Sequence, residues 1–150
     1  MNAPQHEIVF FIDRDLGPRT FPAILRAAGI LVESHDDHFR HRPNPPPDHV
    51  WLRMIAERKW IAVTHDARIR YTSRSRDEIM RSGARALILK GDASPQVLAE
   101  NFVRTYSRIV RFLRRHREPF IAKVYRNDRD MTKGGRVEMW LSYRDWLSGA

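Results

Sequence analysis

No cysteine occurs anywhere in the 150 residues. A disulfide framework and thiolate metal sites are thereby excluded, and a reducing compartment is the natural setting. Long apolar runs are also missing. Stretches such as Ile8 to Ile12 and Ala86 to Leu89 fall far short of the roughly 18 to 20 residues that span a bilayer. Asp13 interrupts the first of them before a secretory signal can form, so no membrane association and a cytoplasmic location are expected. There is no internal repeat, no low-complexity tract beyond one proline cluster and no composition shift that would mark a linker. The expectation is one domain over 1–150, with a core at about 8–116 and a C-terminal β extension at about 120–143.

Acidic residues are in short supply: 18 Asp and Glu stand against 27 Lys and Arg, for a formal charge of +9. A surplus made mostly of arginine attracts polyanions. The same surplus also arises when charges do no more than solvate the faces of a soluble protein, so position has to decide.

What is present reads as alternating strands and helices. Ile8-Val9-Phe10-Phe11-Ile12 is a continuous β-branched and aromatic run, suited to a strand buried on both faces of a parallel sheet, and it ends in Asp13-Arg14-Asp15-Leu16-Gly17-Pro18. A helix is expected from about Phe21 to Ala28, with Thr20 as its cap and Gly29 as its stop. Ile30 to Val32 forms a second strand. Residues 33–47 read as a polar, mobile loop, because Pro43, Pro45, Pro46 and Pro47 deny it helix continuity and sheet hydrogen bonds. Helix character returns at Asp48, with Trp51, Leu52 and Ile55 on one face, and Ile61-Ala62-Val63 is the third strand, leading into Thr64-His65-Asp66. Ser75 and Glu78 have the spacing of a capping box ahead of Gly83, and Ala86 to Leu89 is the fourth strand. Ser94-Pro95 opens a long helix to about Arg115. Its apolar side steps through Leu98, Phe102, Tyr106, Ile109 and Leu113, and its other side carries Arg104, Arg108, Arg111 and Arg115. Phe120 to Tyr125 and Val137 to Tyr143 read as a terminal hairpin or sheet-edge strand, joined through Gly134-Gly135.

In such an α/β chain ligands bind beyond the carboxyl ends of the parallel strands, where the topology reverses. Asp13 and Asp66 occupy strand ends, and Asp48 opens the helix that leads back into strand three. Clustered carboxylates repel unless a cation neutralises them. Mg²⁺ and Mn²⁺ prefer oxygen ligands and can both activate a water and stabilise the leaving oxygen in phosphodiester cleavage. Taken singly, Asp13, Asp15 and Asp66 are explained by turns after strands and Asp48 by the helix dipole; taken together they favour a site.

The segments FFIDRDLG, AAGILVESHDDHF and PDHVWLRMIAERKWIAVTHDARIR resemble the PIN-like domains, especially the VapC-type toxin branch, over roughly residues 8 to 116. The resemblance implies a three-layer α/β domain with a mainly parallel central sheet. It also implies a Mg²⁺- or Mn²⁺-dependent endoribonuclease acting on RNA, paired with an antitoxin protein, with a homodimer allowed. By position, the family's catalytic and metal-holding acids fall on Asp13, Asp48 and Asp66, with Thr64 in support and Asp15 and Asp37 as secondary metal candidates. Where many relatives carry a fourth acid, this chain has Ala67, Arg68, Ile69 and Arg70, which puts a complete two-metal site in question. Arg14, Arg68, Arg70, Arg74 and Arg76 are the candidates to grip phosphates beside the acids, and Tyr71 is a candidate for base stacking. The arginine stripe of the long helix suits RNA, an acidic antitoxin or plain solvent equally.

Other readings differ in class. Asp13-x-Asp15 after a strand resembles the nucleophile and acid of haloacid-dehalogenase phosphatases, but Leu16-Gly17-Pro18 replaces the expected Gly-Thr. A PIN-like module that binds RNA or protein without catalysis would account for the missing acid. His35, His38 and His41 lack the second half of a zinc site and read as loop residues, as does His65 beside Asp66.

Overall fold

The computed structural model describes residues 8–40, 42–44, 46–65 and 73–149. One six-stranded sheet has the order β2-β1-β3-β4-β5-β6, built from β1 Val9–Ile12, β2 Leu31–Ser34, β3 Ile61–Thr64, β4 Arg85–Leu89, β5 Phe120–Tyr125 and β6 Arg136–Ser142. The first five run parallel, and β6 closes the edge antiparallel to β5. The helices are α1 Thr20–Ala27, α2 His35–Phe39, α3 Asp48–Glu57, α4 Ser73–Ser82, α5 Pro95–Arg115 and α6 Tyr143–Leu147. The chain is therefore the expected α/β domain with a mainly parallel sheet, its terminal hairpin forming the edge.

Alternation along the strands splits the core in two. Phe10, Ile12, Ile61, Val63, Leu87 and Leu89 face α1 and α5, where Phe21, Leu25, Leu98, Phe102 and Ile109 complete one cluster. Phe11, Ala62, Ala86 and Ile88 face the other way, against Trp51, Leu52 and Ile55 of α3 and Ile79 and Met80 of α4. Strands buried on both faces need continuous apolar runs, which is what β1, β3 and β4 carry.

Four local expectations change. Thr20 does not cap α1; it is the first helical residue, preceded by Arg19, whose side chain makes no cap hydrogen bond. The segment after β2 is not all loop. Strand β2 continues to Ser34, whose Oγ accepts from Asp37 N and caps the short helix α2, so two acids in the first turn meet its dipole. Ser75 and Glu78 do not form a capping box, because α4 already includes Ser73. Finally, the chain ends in the helix α6 rather than in strand, with Ser142 Oγ accepting from Asp145 N. The cap at Ser94 is as expected, its Oγ accepting from Val97 N with Pro95 in the first turn.

Candidate active site at the strand-order reversal

The chain passes from β1 to β2 on one side and then returns past β1 to β3 on the other, so the order reverses between β1 and β3. At that point the carboxyl ends of two adjacent strands have no crossover helix covering both, and a crevice forms. Asp13 follows β1 directly. Its backbone N–H donates to Val63 O at 2.9 Å, extending the β1–β3 pairing by one residue, and its Oδ1 accepts from Arg14 N at 2.8 Å. The position is fixed by sheet hydrogen bonding rather than by a free turn.

Thr64 closes β3 opposite it and is buried. Its Oγ1 lies 3.1 Å from Asp13 Oδ2 and 3.2 Å from Asp15 Oδ2. A hydroxyl has one proton, so it serves one carboxylate fully or two weakly. Asp15 takes a further hydrogen bond from His65 N at 3.1 Å, and the His65 ring donates from Nε2 to Gly91 O at 2.7 Å. His65 thus ties the end of β3 to the turn after β4, a more specific part than a loop histidine.

Asp48 is the first residue of α3, with Pro47 as the N-cap. Its Oδ1 accepts from the Trp51 indole N–H at 3.0 Å, which orients the carboxylate from a side chain locked in the core. The electrostatic consequence falls on Asp13, whose pKa is pushed up to about 7. Burial is the main cause, the charge of Asp15 is the next, and Asp48 adds to it, against the lowering hydrogen bonds from Arg14 and Thr64. A group so placed carries a proton near neutral pH or needs a cation beside it.

The cleft at this point is lined by Asp13, Asp48, Trp51, Thr64, Ser75 and Glu78, among others. Glu78 was not a candidate from sequence; it arrives because α4 starts early and turns this residue inward while it pairs with Arg74 at 3.9 Å. A signal existed in the spacing, since Glu78 directly precedes the buried Ile79 and Met80.

The remaining candidates separate. Asp37 is not brought to Asp13: it accepts from Arg26 at 3.3 Å and takes part in the α2 cap, and these contacts hold its pKa below the usual range. Arg14 is exposed beside the acids, Arg74 is exposed on α4, and Arg76 lies over the Trp140 ring at 5.6 Å. Asp66, Arg68, Arg70 and Tyr71 lie outside the described residues. His35 is buried against Phe11, Phe39 and Trp51, and His38 contacts Glu33 at 2.8 Å, so both serve packing. Among the described residues no group of three or more His, Asp or Glu stands at metal-ligating spacing, and no helix is long and apolar enough to cross a membrane.

Fold and site define the class: a doubly wound α/β domain with carboxylates gathered at its strand-order reversal. A family model described as "PIN like domain" matches residues 8–91, and the chain belongs to the PIN-like domain family, in its VapC-type branch. It is similar to a Mycobacterium tuberculosis protein named "Putative ribonuclease VapC45", with 31% identity over 117 residues that cover 77% of this chain and 84% of that protein. No solved structure matches the chain.

Proposed function

We propose that the chain, as a single domain over 1–150, is an endoribonuclease dependent on Mg²⁺ or Mn²⁺ and the toxin of a toxin–antitoxin pair in the cytoplasm. The observation that carries this reading is Asp13: a carboxylate rigidly fixed at the strand-order reversal, where burial first, and then the charges of Asp15 and Asp48, push its pKa up to about 7. Oxygen-only donors with this need for positive charge fit a hard divalent cation. Asp13 and Asp48 would hold it, with Asp66, two residues after Thr64 in the sequence, as the third proposed ligand. When bound, such an ion supplies Lewis-acid polarisation of a phosphoryl oxygen and lowers the pKa of water.

The chain's own residues do the rest. Thr64 donates to Asp13 or Asp15 and keeps their oxygens aimed at the cleft. Trp51 fixes Asp48, and the net positive surface draws the RNA backbone to a crevice that is itself acidic. An acidic or blocking segment of an antitoxin, or a second copy of this chain, would meet the same electrostatics.

Cleavage of single-stranded RNA with Mg²⁺ or Mn²⁺ tests the proposal, comparing wild type with Asp13→Asn and Asp66→Asn. Each substitution is expected to lower the rate by about 100-fold or more. Equal rates in all three proteins would refute the assigned site. Binding of RNA with cleavage by none would favour a non-catalytic module, the reading motivated by Ala67, Arg68, Ile69 and Arg70 standing where many relatives carry a fourth acid.

A further inference from the structure

The carboxyl edge of the sheet carries a second, oppositely charged depression. Strands β1, β3, β4 and β5 are parallel, so residues 13, 64, 90 and 126 all emerge on one edge. Antiparallel β6 begins there too, with Arg136 opposite Tyr125. A cavity of about 330 Å³ at this end is lined by Arg108, Arg126, Arg129 and Arg136, with Asp128 as the one acid among its lining residues.

Its walls are built rather than loose. Gly135 N donates to the buried Thr105 Oγ1 at 2.9 Å, and Asn101 Nδ2 donates to Tyr125 O at 3.2 Å. A Cβ on Gly135 would lie 1.5 Å from Tyr125 O, so only glycine lets the turn close there. Arg108 donates to the carbonyls of Gly134 and Gly135, and Arg136 stacks over the Tyr125 ring at 4.1 Å while pairing with Glu138. These two are committed to structure, which leaves Arg126 and Arg129 as the available cations. Arg126 is half-buried, and its Nε is sealed from solvent with no hydrogen-bond partner. The side chain fits only because residue 91 is glycine: a Cβ there would stand 2.8 Å from Arg126 Nη2. Gly91 is also the residue whose carbonyl accepts from His65, which in turn donates its backbone N–H to Asp15, so one chain of contacts links the acids to Arg126.

The geometry points to this pocket as an anchoring site for a phosphate of the RNA backbone, away from the bond that is cut, held by Arg126 and Arg129. The inference rests on the RNA reading above. Arginine's planar fork matches a phosphate in two-point contact, and Arg126 and the exposed Arg129 both line the cavity. From β1 to β5 is three strand spacings, about 14 Å, and the cleft lies towards α3 and α4 while the pocket lies towards α5, so one strand of RNA wrapping over the carboxyl edge would meet the acids and the pocket together. An acidic peptide would find the same charge, and polyglutamate measured alongside the RNA tests that occupant.

The test measures binding of a short labelled single-stranded oligoribonucleotide in EDTA, where cleavage is off, as a function of salt. Arg126→Gln with Arg129→Gln is expected to weaken binding about ten-fold and to flatten the slope of log K against log salt by about 1 to 2. Arg129→Gln alone, at an exposed position, should weaken it about three-fold without endangering the fold. Arg117→Gln, at the opposite edge of the sheet, should leave it unchanged. Wild-type affinity in the double variant, an equal loss in Arg117→Gln, no RNA binding by wild type, or a loss confined to polyglutamate would each overturn the inference. Adding Mn²⁺ separates the two claims: arginine-dependent binding without cleavage leaves the pocket standing and removes the nuclease, whereas cleavage with unaltered affinity does the reverse.

Discussion

Phe10 and Phe11 are neighbours in the chain and opposites in the fold. Phe10 meets Phe102 edge-on at 5.2 Å and Tyr106 at 6.1 Å, within a cluster closed by α1 and α5. Phe11 stacks on Trp51 at 5.3 Å and Trp60 at 6.2 Å, with His35 and His38 at its edges. The first face is apolar wherever it touches the sheet's centre. The second mixes rings that also carry N–H groups, and one of them, the Trp51 indole, holds Asp48. One face keeps the strands in register; the other uses its packing to aim a carboxylate. Damage to the first should therefore lower stability alone, and damage to the second should reach the site.

The largest effect should come from Phe102→Ala, which empties a fully buried ring position on the structural face and is expected to cost about 3–5 kcal/mol in denaturant unfolding. Fold and site should stay separable in what remains folded. A loss of RNA cleavage greater than the loss of folded protein would break the comparison.

Next in size is the pH dependence imposed by Asp13. Its folded pKa is raised to about 7, so between about pH 4 and pH 7 the native state binds more protons than the unfolded chain. This contribution is full at low pH and is lost as pH rises through 7, by something of the order of 4 kcal/mol. Without divalent cations, stability from this group should fall across that window, and Asp13→Asn should flatten the fall. Mn²⁺ should raise Tm more at pH 8 than at pH 5, because only the ionised cluster needs it. An equal rise at both values would show that the ion acts elsewhere.

The strand ends were legible because a parallel, doubly buried strand demands an unbroken apolar run, and the polar residue that ends it is conspicuous, as Asp13 and Thr64 are; Ser94-Pro95 marked the start of α5 by its capping chemistry instead. Helix α2 was not, since His35, Asp36, Asp37 and His38 look like solvent residues until Phe11 and Trp51 are seen to cover His35. The Ser34 to Asp37 cap was a local sign of that helix, outweighed by the nearby prolines. Asp37 and Asp48 illustrate the same limit. Both are acids in the first turn of a helix, and spacing along the chain cannot tell which faces Asp13; that depends on whether the helix packs over the reversal point or beside β2. Glu78 escaped because its direction depends on where α4 begins.

The finest test of the two-face picture is Trp51→Phe. The substitution keeps a ring against Phe11, removes the indole N–H that Asp48 accepts at 3.0 Å, and leaves a small void where the rest of the indole packed. Because Asp48 is exposed, the lost hydrogen bond should cost no more than about 1 kcal/mol, and the void adds a packing cost of about 1–2 kcal/mol. Its effect on cleavage should be larger in proportion, about ten-fold, since a carboxylate that turns freely spends less time aimed at the cleft. The control is Trp60→Phe, where an equivalent ring on the same face touches no acid of the site and cleavage should not move. If both variants lose activity together, the aromatic layer acts as packing alone; if only Trp51→Phe does, a single indole proton separates a supporting face from a functional one.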